Sequence, residues 1–128
     1  MSAELRTLVW VLALHLIIWL PYILNLIMVR GIVDAVGYPD NPKPMANWAQ
    51  RMKAAHYNAV ENLVVFVALV LVANAAGISN DITVLACTVY FWARVAHLVS
   101  YTLAIPWVRT LTFAVSWVAM VAIVVQLL

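Results

Sequence analysis

Residues 63–81 read LVVFVALVLVANAAGISND, and the fold turns on this stretch. From Leu63 to Ala76 it carries no charge and a single polar side chain, Asn74. It then breaks at Gly77–Ile78–Ser79–Asn80–Asp81, a short turn in which Ser79, Asn80 and Asp81 are all able to cap a following helix. Beyond the turn a second apolar run extends from about Ile82 to Leu103. A bilayer-crossing helix needs about 20 mainly apolar residues, so two such runs across a short turn predict a pair of antiparallel membrane helices.

Working outward, the helix that ends at Ala76 begins in a polar, amphipathic segment near Trp48. Two further spans complete the pattern. One runs from Leu5 to Val29, interrupted by His15, Pro21 and Asn25, and the other from about Trp107 to Leu128. Composition agrees: 67% of the 128 residues are hydrophobic and only 9% charged, with a mean hydropathy of +1.02. A soluble domain averages about 45–50% apolar and roughly 25% charged, so lipid must cover the excess. The expectation is an all-α, integral membrane four-helix bundle, a single domain over residues 1–128. The Leu5–Val29 run is too long for a signal h-region and no small-residue cleavage pattern ends it, so it reads as a retained first span. Pro21 should bend that span.

The connections carry the charge. Arg30 to Asn47 reads as a polar loop with Gly31, Gly37, Pro39, Pro42 and Pro44, and Pro106 suits the first turn of the last helix. The first and third connections and their flanks hold Arg30, Lys43, Arg51, Lys53, Arg94 and Arg109, whereas the opposite side offers Arg6. The positive-inside rule therefore places those connections in the cytoplasm and both termini on the non-cytoplasmic side. A formal charge of +2 with scattered carriers gives no nucleic-acid footprint. The one cysteine, Cys87, excludes an intrachain disulfide and reads as a small buried hydrophobe.

Helical phase, about 100° per residue, then asks which polar residues share a face. On the second span Arg51, Asn58, Glu61 and Asn62 fall in one arc, while Lys53 and His56 point elsewhere. On the third, Tyr90, Arg94, His97 and Tyr101 form a narrow stripe at i, i+4, i+7 and i+11. On the fourth, Arg109, Thr112, Phe113 and Ser116 lie together, and on the first His15, Trp19, Tyr22 and Arg30, flanked by Asn25. A purely structural use is open to any one of them, Glu61 pairing with Arg94 for instance. As a set they read differently. Arg51, Arg94 and Arg109 outnumber Glu61, the one acid on these faces, and buried guanidinium in excess of carboxylate is costly unless an anion neutralises it. A planar fork suits carboxylates. The residues thus predict a site for a small anion, opening between helices toward the cytoplasm.

Two blocks carry a resemblance. Arg51 with Ala55–His56–Tyr57–Asn58–Ala59–Val60–Glu61–Asn62 resembles the second-helix signature of the membrane-associated proteins in eicosanoid and glutathione metabolism (MAPEG). Tyr90–Phe91–Trp92–Ala93–Arg94–Val95–Ala96–His97, followed by Tyr101, Pro106 and Arg109, is similar to the third- and fourth-helix motif of that family's prostaglandin and leukotriene synthases. The resemblance implies a homotrimer of four-helix subunits that binds glutathione between neighbours at the cytoplasmic ends. It implies contacts to glutathione from Arg51, Asn58, Glu61, Arg94, His97, Tyr101 and Thr110, with Arg30 contributed by the adjacent subunit. It further implies Arg109 as the catalytic residue, stabilising a glutathione thiolate that attacks a lipophilic substrate from the bilayer. Tyr57 replaces a basic residue of the pattern, Thr110 a serine and Phe113 a tyrosine. These differences bear on the synthase activities and leave general glutathione binding in place.

Two other readings stay open beside this one. A non-catalytic, lipid-binding scaffold of the same family is motivated by Tyr57 and Phe113. A haem or metal bundle is motivated by His15, His56 and His97, but no two of these have the i, i+3 or i+4 spacing of a helical ligand pair, and no metal site is expected. Trp48 and Trp107 read as interfacial anchors, and Trp10, Trp19, Trp92 and Trp117 as lipid-facing or packing residues.

Overall fold

The computed structural model describes residues 1–128 and contains five helices and no strand: α1 (Ala3–Ile17), α2 (Leu20–Val36), α3 (Asn47–Ala75), α4 (Asp81–Thr102) and α5 (Val108–Leu127). Together α1 and α2 make one apolar passage, so the chain holds four segments long and apolar enough to cross a membrane. It is an all-α integral membrane bundle.

The break between α1 and α2 follows from Pro21. Proline has no N–H to offer the carbonyl four residues earlier and its ring crowds that carbonyl. That residue is Ile17, where α1 ends. Hydrogen bonding resumes with Ile23 N–H to the Trp19 carbonyl, and Pro21 sits in the first turn of α2.

Two expected boundaries are corrected. The polar loop expected from Arg30 begins later, because helix resumes after Gly31 and runs to Val36. Gly31 departs from helical geometry (φ 76°, ψ 159°), yet no proline intervenes before Pro39 to prevent another turn. Pro106 lies outside α5 rather than in its first turn. The Val108 N–H bonds to the Pro106 carbonyl across Trp107, whose φ is 69°, and this tight reversal delays the helix to Val108.

The core is where α1, α3, α4 and α5 meet, around Val11, Phe66, Val70, Cys87, Tyr90 and Ile123. The Phe66 and Tyr90 rings stack at 3.8 Å between centroids and 5° between planes. Ala86, Ala93 and Ser100 recur every seventh residue on α4 and all are buried, which lets α5 pack closely along it, as small residues do between membrane helices. Only 23 of the 128 residues are buried, so lipid or other subunits must cover most of the surface.

Side-chain bonds tie the ends in two groups. At one end the Ser79 and Thr83 hydroxyls donate to Glu4 Oε1 at 2.9 and 2.6 Å, and Asn80 donates to Gln126 at 3.0 Å. At the other, Arg51 Nε donates to the Thr102 carbonyl at 3.0 Å and Arg30 Nε to the Lys43 carbonyl at 2.7 Å. Both termini and the α3–α4 turn therefore share one end, and the α2–α3 and α4–α5 connections, flanked by Arg30, Arg51 and Arg109, share the other. Asn25, inside the first passage, accepts the Ala46 N–H at 2.9 Å and so caps α3, which has no side-chain cap of its own.

Candidate functional site

The turn between α4 and α5 builds the site. α4 ends with two reversed bonds, Ile105 N–H to the Ser100 carbonyl and Ala104 N–H to the Tyr101 carbonyl. Ala104 takes a positive φ of 56°, the left-handed cap that closes a Schellman motif. With the Trp107 reversal, this folds the start of α5 back beside the end of α4.

Two clefts adjoin there. One, of about 260 Å³, is lined by Arg51, Ser100, Tyr101, Trp107, Arg109 and Thr110 among others. The other, of about 320 Å³, is lined by Asn58, His97, Tyr101, Arg109, Thr110 and Phe113. Tyr101, Arg109 and Thr110 belong to both. The Arg109 guanidinium lies 4.6 Å from the centroid of the Tyr101 ring, a cation–π distance. The His97 ring meets Tyr101 edge-on at 5.7 Å. Neither lining contains a carboxylate.

Beneath the second cleft sits Arg94, 2% exposed. Its Nη2 donates to Asn58 Oδ1 at 2.7 Å and to His97 Nδ1 at 3.4 Å, and its Nη1 to Ser116 Oγ at 3.4 Å. Its Nε, like the Tyr90 hydroxyl one turn away, is buried with no partner. The ion pair between Glu61 and Arg94 that the sequence left open does not form: Glu61 is exposed. Nor is Glu61 the acid buried in the spans; that is Glu4, at the opposite end.

Of the residues singled out from sequence, Arg51, Asn58, His97, Tyr101, Arg109 and Thr110 converge on the two clefts. Arg94 lies below them, and Arg30 and Glu61 lie outside both clefts. Ser100 and Trp107 line the first cleft as well; nothing in the sequence marks Ser100, and Trp107 reads there chiefly as an interfacial anchor. Adjacency of Trp107 to Arg109 in one turn was the signal available for it. On the other face of α3, Tyr22 and His56 Nδ1 share a hydrogen bond of 2.7 Å, and the His15 and His56 rings stand 6.4 Å apart. His56 therefore serves the α2–α3 contact, away from the clefts.

Comparison with curated proteins and with solved structures returned no match. A family model does match, over residues 5–128, essentially the whole chain: the chain belongs to the MAPEG family.

Proposed function

We propose that this chain is a membrane-bound, glutathione-dependent transferase or peroxidase acting on lipophilic electrophiles or hydroperoxides. One observation carries the reading. Two guanidinium groups, Arg51 and Arg109, line one cavity whose wall holds no carboxylate. An uncompensated pair of cations in a membrane protein calls for an anion, and glutathione brings two carboxylates.

The residues present fit such a ligand. Arg51 is already held by the Thr102 carbonyl through Nε, which leaves its terminal nitrogens for a carboxylate. Asn58 and His97 form the inner wall. Arg109, fixed against the Tyr101 ring, is the permanent cation for the thiolate. Bound glutathione would supply that thiolate as nucleophile, so the protein needs none of its own. Its single thiol, Cys87, is buried in the core. In a homotrimer of single-domain subunits, residues 1–128, the exposed Glu61 and the α2-borne Arg30 would complete a neighbour's cleft. With the Lys- and Arg-rich end in the cytoplasm, the clefts open there.

A thiol of pKa about 8.5 is only about 3% ionised at pH 7. Lowering it by about two units makes the thiolate the main species, a gain of roughly 25-fold. Arg109→Ala should therefore cut glutathione-dependent turnover of a chlorodinitrobenzene-type electrophile by about 30-fold or more, transition-state stabilisation adding to ionisation. Unchanged turnover would remove Arg109 from the mechanism.

One further feature bears on a second reading. A groove of about 410 Å³ between α4 and α5, lined by residues such as Leu85, Val89, Leu111, Val115 and Val118, is wholly hydrophobic. Under the first reading it receives the lipophilic substrate; under the second, a non-catalytic scaffold, it holds a lipid and nothing reacts. Calorimetry of the purified protein separates them: no glutathione binding at millimolar concentration favours the scaffold.

A further inference from the structure

Arg94 is the most deeply buried cation in the molecule, and no carboxylate touches it. A guanidinium has five N–H donors and no acceptor, so every group it bonds must present a lone pair. This fixes three neighbours at once. Ser116 Oγ spends its proton on the Phe113 carbonyl at 2.7 Å, leaving lone pairs for Arg94 Nη1. Asn58 must turn Oδ1 inward, at 2.7 Å from Nη2; Asn62 Nδ2, 3.5 Å from the same oxygen, agrees with that orientation. His97 must keep Nδ1 unprotonated, because Nδ1–H would meet a guanidinium N–H head-on. A neutral imidazole then carries its proton on Nε2.

Asn58 and His97 both line the 320 Å³ cleft. With Oδ1 and Nδ1 committed inward, the ends left for the cleft are Nδ2–H₂ and Nε2–H, both donors. Arg109, on the same cleft, adds a cationic donor. We infer that Arg94 is a positioning residue rather than a glutathione ligand: its buried guanidinium fixes Asn58 and His97 so that both offer hydrogen-bond donors to the cleft, which makes that wall selective for a carboxylate. The inference rests on reading the cleft as the glutathione site. It departs from the family resemblance, which places Arg94 among the direct contacts. The bond to Asn58, at 2.7 Å, is short and the one to His97, at 3.4 Å, is longer.

Imidazole ¹⁵N shifts of the full chain in micelles, labelled at histidine and free of ligand, test the positioning directly. The His97 signals are identified by their loss in His97→Gln. In the unsubstituted chain Nε2 should be protonated and Nδ1 bare, and in Arg94→Met the two tautomers should mix or invert. A helix-packing role alone would not move this equilibrium. Protonated Nδ1 in the unsubstituted chain, or an unaltered tautomer in Arg94→Met, overturns the inference. Should Arg94→Met fail to fold, the spectrum of the unsubstituted chain still decides. Selectivity is the second readout. The preference for glutathione over its diethyl ester, in which both carboxylates are masked, should shrink about tenfold in Arg94→Met; an unchanged ratio overturns the carboxylate assignment. The ligand-free spectra do not depend on glutathione, so failure of the chain to bind it, with Nε2–H retained, would overturn the proposed function and leave the positioning role standing.

Discussion

Glu4 and Glu61 exchange the places that their positions in the sequence suggest. Glu4 precedes the first apolar residue of its span, where a solvated terminal acid is the ordinary expectation; Glu61 lies mid-span on an arc with Asn58 and Asn62. Yet Glu4 is 4% exposed, with Oε1 holding the Ser79 and Thr83 hydroxyls, whereas Glu61 is exposed. Helical phase reports which residues share a face but not what that face meets. The arc of α3 that carries Asn58 splits between the cleft and the outer surface, and no local signal marks the division. Glu4 joins α1 to the α3–α4 turn through a carboxylate, and hydrogen bonds to charged groups are worth about 1.5–3 kcal/mol. Glu4→Gln keeps the shape and loses the charge, so it should destabilise the fold by about 1–3 kcal/mol, read as a lower unfolding midpoint in detergent. Glu61→Gln, on the exposed face, should leave stability within about 0.5 kcal/mol of the unsubstituted chain.

Helix ends divide in the same way. Gly77 and Ala104 close the same motif: Gly77 N–H bonds to Asn74 and Ile78 N–H to Ala73, as Ala104 and Ile105 bond to Tyr101 and Ser100. Both caps are left-handed, at φ 68° and 56°. The first was legible because glycine announces it. The second was not, since alanine is a strong helix former and only the following Pro106 hinted that α4 had to stop. A side chain in this conformation costs roughly 1 kcal/mol or more. Ala104→Gly should therefore raise stability by up to about 1 kcal/mol, glycine's larger unfolded-state entropy offsetting part of the gain, and Gly77→Ala should lower it by about 1–2 kcal/mol. Thermal unfolding of the two variants in one detergent checks the opposite signs. The Ala104 cap also aims the start of α5, and with it Arg109. A rise in stability at Ala104→Gly that came with lost turnover would mean that the strained turn holds the cleft's geometry and does not merely end a helix.

Across the whole molecule, composition and spacing sufficed for the four apolar passages, because lipid imposes length and apolarity on each of them separately. What could not be read was the division of their surfaces between the core and the outside, a property of packing and not of any one helix. A prediction of sidedness comes from charge. Arg30, Lys43, Arg51 and Lys53 flank one end of the bundle, while Arg6 stands alone at the end where Glu4, Ser79, Thr83, Asn80 and Gln126 interlock. The positive-inside rule predicts that the first end is cytoplasmic. The single buried cysteine makes this testable with little background, since Cys87 is 1% exposed. In sealed vesicles whose outer face is the non-cytoplasmic one, a membrane-impermeant maleimide should label Ala76→Cys, in the exposed α3–α4 turn, and leave the unsubstituted chain unlabelled. Asn41→Cys, in the loop before α3, should react only after detergent opens the vesicles. The reverse pattern would put the Arg51–Arg109 cleft on the non-cytoplasmic side, and the ligand would then have to be an anion available there.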